Sequence, residues 1–150
     1  MSDLYDSDVV EWSARQAGLL RRVAAGEPVN EAPDWLNIAE EIDALGKNQG
    51  RELVSRIAVI LVHLIKLEAS PAAEPRAGWR DTIRKQRDEI ARLLADAPSL
   101  RARIPAIVVA ELPRACSRAA APLADNGETS RVAIDQIAYT DDKILGDWLP

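Results

Sequence analysis

The chain holds one histidine, His63, and one cysteine, Cys116, in 150 residues, and these two counts bound its chemistry. A single cysteine forms no internal disulfide, and one Cys with one His does not complete a Cys/His zinc site. Cys116 lies among alanines with no second histidine to activate it, so it reads as a small hydrophobe rather than a nucleophile. His63 sits beside Ile60, Leu64 and Leu67 in an apolar run. Enclosed there it needs a hydrogen-bond partner, and an acid of the same domain is the natural one. Such a ring acts as a general base or pH switch, or it fixes helix packing; packing is the commoner use.

The carboxylates gather around Asp34, Asn37, Glu40 and Glu41. On a helix the adjacent Glu40 and Glu41 diverge by about 100°, so they do not face one atom. A di-metal bundle also draws Glu-x-x-His from two helices, whereas the residue three before His63 is Ile60. No metal is expected. No cofactor is expected either, since neither common glycine-rich phosphate loop is present, and no Ser-centred nucleophile elbow is found. Arg80, Arg84 and Arg87 form a cationic stripe next to Gln86, and an arginine fork grips a carboxylate bidentately. Glu40 and Glu41 are the candidate partners of Arg80 and Arg87, with Glu41–Arg87 the sharpest pairing. The candidate polar cluster is therefore Glu40, Glu41, His63, Trp79, Arg80, Gln86 and Arg87, arranged either as a pocket or as structural salt bridges.

Helices must position these residues. Asp6 or Ser7 opens a first helix to about Ala25, with Val9, Trp12, Gln16, Leu19, Leu20 and Val23 near one face; Gly26 and Pro28 close it. Asp34 caps a proline-free segment from Trp35 to about Ser70, in which Ile42, Leu45, Gln49, Leu53, Arg56 or Ile57, Ile60, Leu64 and Leu67 recur at helical spacing. Gly46 and Gly50 mark a bend or a close helix crossing. Pro71 and Pro75 break the chain before a third helix near Gly78, whose seam of Trp79, Ile83, Gln86, Ile90, Leu93 and Ala97 spaces 4-3-4-3-4. A fourth helix follows Pro98, capped by Ser99, and continues toward Ala121; Pro105 fits its first turn, and Pro113 should kink or split it. Residues 122–138 carry no clear pattern. Thr140 caps a short turn through Asp141, Asp142 and Lys143. The expectation is an all-α, single-domain, up-and-down bundle over 1–150, with about four long helices around the apolar stretch Leu53–Leu67 and short helical segments after them.

Charge and composition narrow the function classes. Lys and Arg number 19 against 24 Asp and Glu, a net charge of -5, which argues against a general nucleic-acid binder. Residues 76–103 are a local exception, with eight basic residues against four acids, but only one aromatic accompanies them. Neutralising acids within the fold or a dimer is the simpler use of those cations. The apolar run Leu53–Leu67 is 15 residues long and contains Arg56, His63 and Lys66, too short and too charged for a bilayer of about 30 Å. Four acidic residues precede the first basic one, Arg15, so the opening does not read as a secretory signal. The cytoplasm is the expected location.

The same residues resemble a known set. Tyr5-x-x-Asp8 with Trp12, Gln16-Ala17 and Leu19-Leu20; Asn37-Ile38-Ala39-Glu40-Glu41-Ile42 followed by Leu45-Gly46; His63-Leu64-Ile65-Lys66; Trp79-Arg80-Asp81-Thr82-Ile83; Gln86-Arg87; Pro98-Ser99-Leu100; and Ile144-Leu145 to Trp148-Leu149-Pro150 are similar, in order and over nearly the whole chain, to the bacterial family known as domain of unknown function 29. The resemblance implies a compact all-helical domain and brings no activity, substrate or catalytic residue. Leu67-Glu68-Ala69-Ser70, Gly78 and Ile137-Ala138 depart from the family's usual residues. The leading expectation is a non-enzymatic helical interaction module whose partner is a second copy or another protein. The alternatives are an enzyme or small-ligand protein built on the polar cluster, and nucleic-acid binding through 76–103.

Overall fold

A computed structural model describes residues 3–150. Helix accounts for 76% of the described residues, none of which lies in a strand, so the all-α reading holds. Six α-helices follow in order: α1 (Leu4–Ser7), α2 (Val9–Ala24), α3 (Trp35–Ala69), α4 (Arg76–Asp96), α5 (Ile104–Asp125) and α6 (Asp141–Leu145), with 3₁₀ turns at Pro98–Arg103 and Ile134–Gln136. Contacts divide the chain into two compact units, one ending at Asn48 and one spanning Gln49–Pro150.

In the N-terminal unit, side chains set the helix ends. Asp3 accepts from the Tyr5 amide at 3.4 Å, and Asp8 accepts from the Glu11 amide at 3.0 Å, capping α1 and α2. Gly26, at φ 72°, ends α2: its amide bonds the Val23 carbonyl and the Glu27 amide bonds the Arg22 carbonyl, both at 3.0 Å, a Schellman closure that needs the left-handed residue. Asp34 caps α3 as expected and also joins it to α2. Its carboxylate accepts from the Asn37 amide at 3.4 Å, the Asn37 side chain at 2.7 Å and the Trp12 indole at 3.0 Å, while its own amide donates to the Gln16 side chain at 2.9 Å. Only Trp12, Leu19 and Pro33 are buried in this unit.

The C-terminal unit holds the main core. Leu53, Ile57, Ile60, Leu61, Leu64, Ile65 and Leu67 of α3 are buried against Ile83 and Ile90 of α4, Ile104, Val108, Ala115 and Ala119 of α5, and Ile144 of α6. The expectation that Leu53–Leu67 forms the centre is met, because that stretch is apolar around most of its circumference. Gly50 is the close-approach glycine of the pair, since a Cβ there would lie 3.0 Å from the Arg103 guanidinium; Gly46 has open space. Ile42 and Leu45, which continue the helical spacing toward the start of α3, are 67% and 64% exposed.

Three local expectations need correction. Ser99 caps nothing; the chain enters a 3₁₀ turn at Pro98, with Ala97 at the cap position and no side-chain bond. Of the two outcomes expected at Pro113, a kink or a split, the split does not occur: α5 runs through both Pro113 and Pro122. Each proline orphans the carbonyl four residues earlier, on Val109 and Arg118, and both of those residues are exposed, so water can satisfy the oxygen. The patternless stretch after 121 begins as helix: α5 continues to Asp125 and closes on Gly127 at φ 64°, whose amide bonds Ala124 at 3.1 Å while Glu128 bonds Leu123 at 2.8 Å. Thr140 caps α6 by accepting from the Lys143 amide, as the sequence suggests.

Candidate functional site

Of the seven foreseen polar residues, Glu41 has a partner in the N-terminal unit, and His63, Trp79, Gln86 and Arg87 have partners in the C-terminal unit. Glu41, exposed on α3, accepts from the Tyr5 hydroxyl at 2.7 Å, and this bond with the neighbouring negative charge pushes the Tyr5 phenol up to about 12. Glu40 is exposed. Arg87, the expected partner of Glu41, is buried on α4 and donates to three backbone carbonyls of its own unit: Ile144 at 2.8 Å, Lys143 at 2.7 Å and Trp148 at 2.7 Å. Burial lowers the pKa of this guanidinium, and nearby Asp147 favours its charge. Arg87 therefore clamps the segment that contains α6 and does not hold a carboxylate.

Gln86 accepts from Arg56 at 3.1 Å, and Arg56 also reaches Glu52 at 2.7 Å and Glu89 at 3.8 Å, which locks α3 against α4. Trp79 carries the Lys66 ammonium 5.8 Å above its ring. Arg80 lies half-exposed on α4. Three of the eight cations of 76–103 are used locally: Arg87 is buried, and Lys85 pairs with Asp81 and Arg92 with Glu89, each at 2.9 Å.

His63 is half-buried, not enclosed, and its partner is not an acid. Its Nδ1 lies 2.8 Å from the Val59 carbonyl of its own helix. A carbonyl only accepts, so Nδ1 carries the proton, and in the neutral ring Nε2 is left as an acceptor. Burial, helped by the nearby Lys66 charge, lowers the His63 pKa.

One concave feature in the C-terminal unit surrounds this histidine. A groove of about 430 Å³ has a wall of α3 residues, including Val54, Ala58 and Val62, and a facing wall of α5 residues Glu111, Arg114 and Arg118. Positions 54, 58 and 62 repeat every four residues, and 111, 114 and 118 every three or four, so each set shares one helix face. Arg114 pairs with Glu111 at 3.3 Å, whereas Arg118 has neither hydrogen bond nor ion pair to any described residue. The Glu111-x-x-Arg114-x-x-x-Arg118 spacing is the signal that points to this wall from sequence. Among the described residues no group of three or more His, Cys, Asp or Glu is placed to hold a metal ion.

The arrangement defines an all-helical fold in which Arg87 and the capping aspartates Asp8 and Asp34 bind backbone groups. By sequence, residues 4–149 match the family described as "Domain of unknown function DUF29", and the chain belongs to that family. No curated protein and no solved structure matches it.

Proposed function

We propose that this protein is a non-enzymatic helical interaction module that self-associates through the first half of α3. The carrying observation is the exposure of Trp35 at 56%, Leu36 at 81%, Ile42 at 67% and Leu45 at 64% on a helix whose own unit buries little. Trp35, Ile42 and Leu45 fall on one helical face by their spacing of seven and three. Contiguous apolar exposure of this kind marks an interaction surface. Full burial of each aliphatic side chain contributes roughly 1.5–3 kcal/mol, enough in sum to hold a second copy of the same helix.

Charge gives the association a distinctive signature. Residues 1–48 carry ten acids against four bases, so two copies repel unless screened. Apolar self-association therefore strengthens as salt rises, whereas docking of a basic partner weakens. The unpaired Cys116 thiol supports a reducing compartment, the cytoplasm, for this activity; no helix of the described chain is long and apolar enough to cross a membrane.

Light scattering on size-separated protein tests the reading. The parent elutes as a dimer at about 100 μM, and the Ile42→Glu, Leu45→Glu double variant elutes as a folded monomer. A parent that stays monomeric at that concentration, or a double variant that stays dimeric, overturns it.

A further inference from the structure

The groove between α3 and α5 has the composition of a ligand site and no structural task that explains it. Buried polar side-chain atoms among the described residues are all satisfied, and Arg118 is an exposed side chain. Arg87 and Arg56, the arginines that hold helices and segments together, are engaged by several partners each. Arg118 lines the groove with none. Across from it His63 is held in one tautomer by the Val59 carbonyl, with Nε2 as its open acceptor. Val54, Ala58 and Val62 supply an apolar bed between these groups.

We propose that this groove binds a small amphiphilic carboxylate, its apolar body on Val54, Ala58 and Val62 and its carboxylate on Arg118, within reach of His63. The volume of about 430 Å³ lies in the range of small-molecule sites. Arginine matches the site, since its planar fork pairs a carboxylate with two parallel bonds. The charge of the groove lining also fits one anion: Glu111 pairs with Arg114, His63 is neutral near pH 7, and Arg118 is the lining cation left without a carboxylate. A bound anion favours protonation of His63, whose Nε2 then donates to it, so binding raises the histidine pKa. The other charged groups around the ring are Lys66 on its own helix and Glu111, Arg114 and Arg118 on α5. This site lies in the C-terminal unit and does not depend on association through Trp35, Ile42 and Leu45.

Because His63 is the only histidine, its ring resonances give an unambiguous probe in the intact protein. The experiment titrates them by NMR with octanoate, acetate and 1-octanol, in the parent and in Arg118→Gln, with circular dichroism confirming that the variant is folded. The expected result is a saturable shift with octanoate, a His63 pKa raised when octanoate is bound, little response to acetate, and at least about tenfold weaker octanoate binding in Arg118→Gln. Equal binding of 1-octanol and octanoate would mean an undiscriminating apolar groove and overturns the proposal. So would absence of any His63 response to octanoate at millimolar concentration, or a folded Arg118→Gln that binds as tightly as the parent. Loss of self-association in Ile42→Glu, Leu45→Glu leaves all of these readouts in place.

Discussion

Replacing Arg87 by Met keeps the stem that packs on α4 and removes the guanidinium. Three carbonyls then lose their donor, those of Lys143, Ile144 and Trp148. They are not equivalent. Lys143 is exposed and Trp148 is partly exposed, so water can reach those two oxygens, whereas Ile144 is 0% exposed and its oxygen is stranded. A hydrogen bond from a charged donor contributes about 1.5–3 kcal/mol net, and a stranded buried acceptor costs about 1–3 kcal/mol. The variant also relieves the desolvation of the charge itself, which offsets part of the loss. The balance is a destabilisation of about 2–4 kcal/mol. Arg87→Lys should recover less than half of it, because one ammonium does not span three carbonyls as the planar fork does. Urea unfolding followed by circular dichroism and by tryptophan fluorescence measures both, and Trp148, packed near Lys143 at 4.6 Å, should report loosening of the last segment before the global transition. A stability within about 0.5 kcal/mol of the parent would refute the clamp and leave Ile144 and its apolar neighbours as the sole anchor.

Gly127→Ala should lower stability by about 1 kcal/mol, since φ of 64° is strained for alanine, and Gly127→Asn should restore part of it; thermal melts of the pair check this. Tyr139→Phe should cost about 1–2 kcal/mol, because it removes the hydroxyl that donates to Glu68 in a mostly buried site, and denaturant melts would contradict it if unchanged. His63→Ala should change stability by less than about 1 kcal/mol, as the half-exposed ring bonds only its own helix. The histidine also has a signed pH effect. Its folded pKa lies below the unfolded value of about 6.5, so the folded state binds fewer protons, and stability falls as pH drops through and below that value; His63→Gln should flatten this part of the stability profile.

Patterns that act locally were readable in the sequence. Asp34 before a proline-free run located α3, Thr140 located α6, and the spacing of Ile83, Ile90 and Leu93 identified the buried face of α4. Helical periodicity shows which residues share a face but not what covers it: Ile42 and Leu45 recur at helical spacing with Leu53 and Ile60, yet they are exposed where Leu53 and Ile60 are buried. Arg87 was matched to a carboxylate because backbone carbonyls, its actual partners, have no sequence signature. The end of α5 was obscured by Pro122, although Asn126-Gly127 is a helix-stop pair that marks it. His63 was expected to seek an acid; bonding to the carbonyl four residues back is an option that helical geometry always offers and residue types do not reveal.

Sedimentation equilibrium of the unmodified protein at low and high salt tests the central claim most directly. With Trp35, Leu36, Ile42 and Leu45 as the contact and a surplus of acids around them, the account predicts a reversible dimer whose dissociation constant falls as salt screens the like charges. A protein that remains monomeric at every salt concentration, or a dimer that weakens as salt is added, would contradict it.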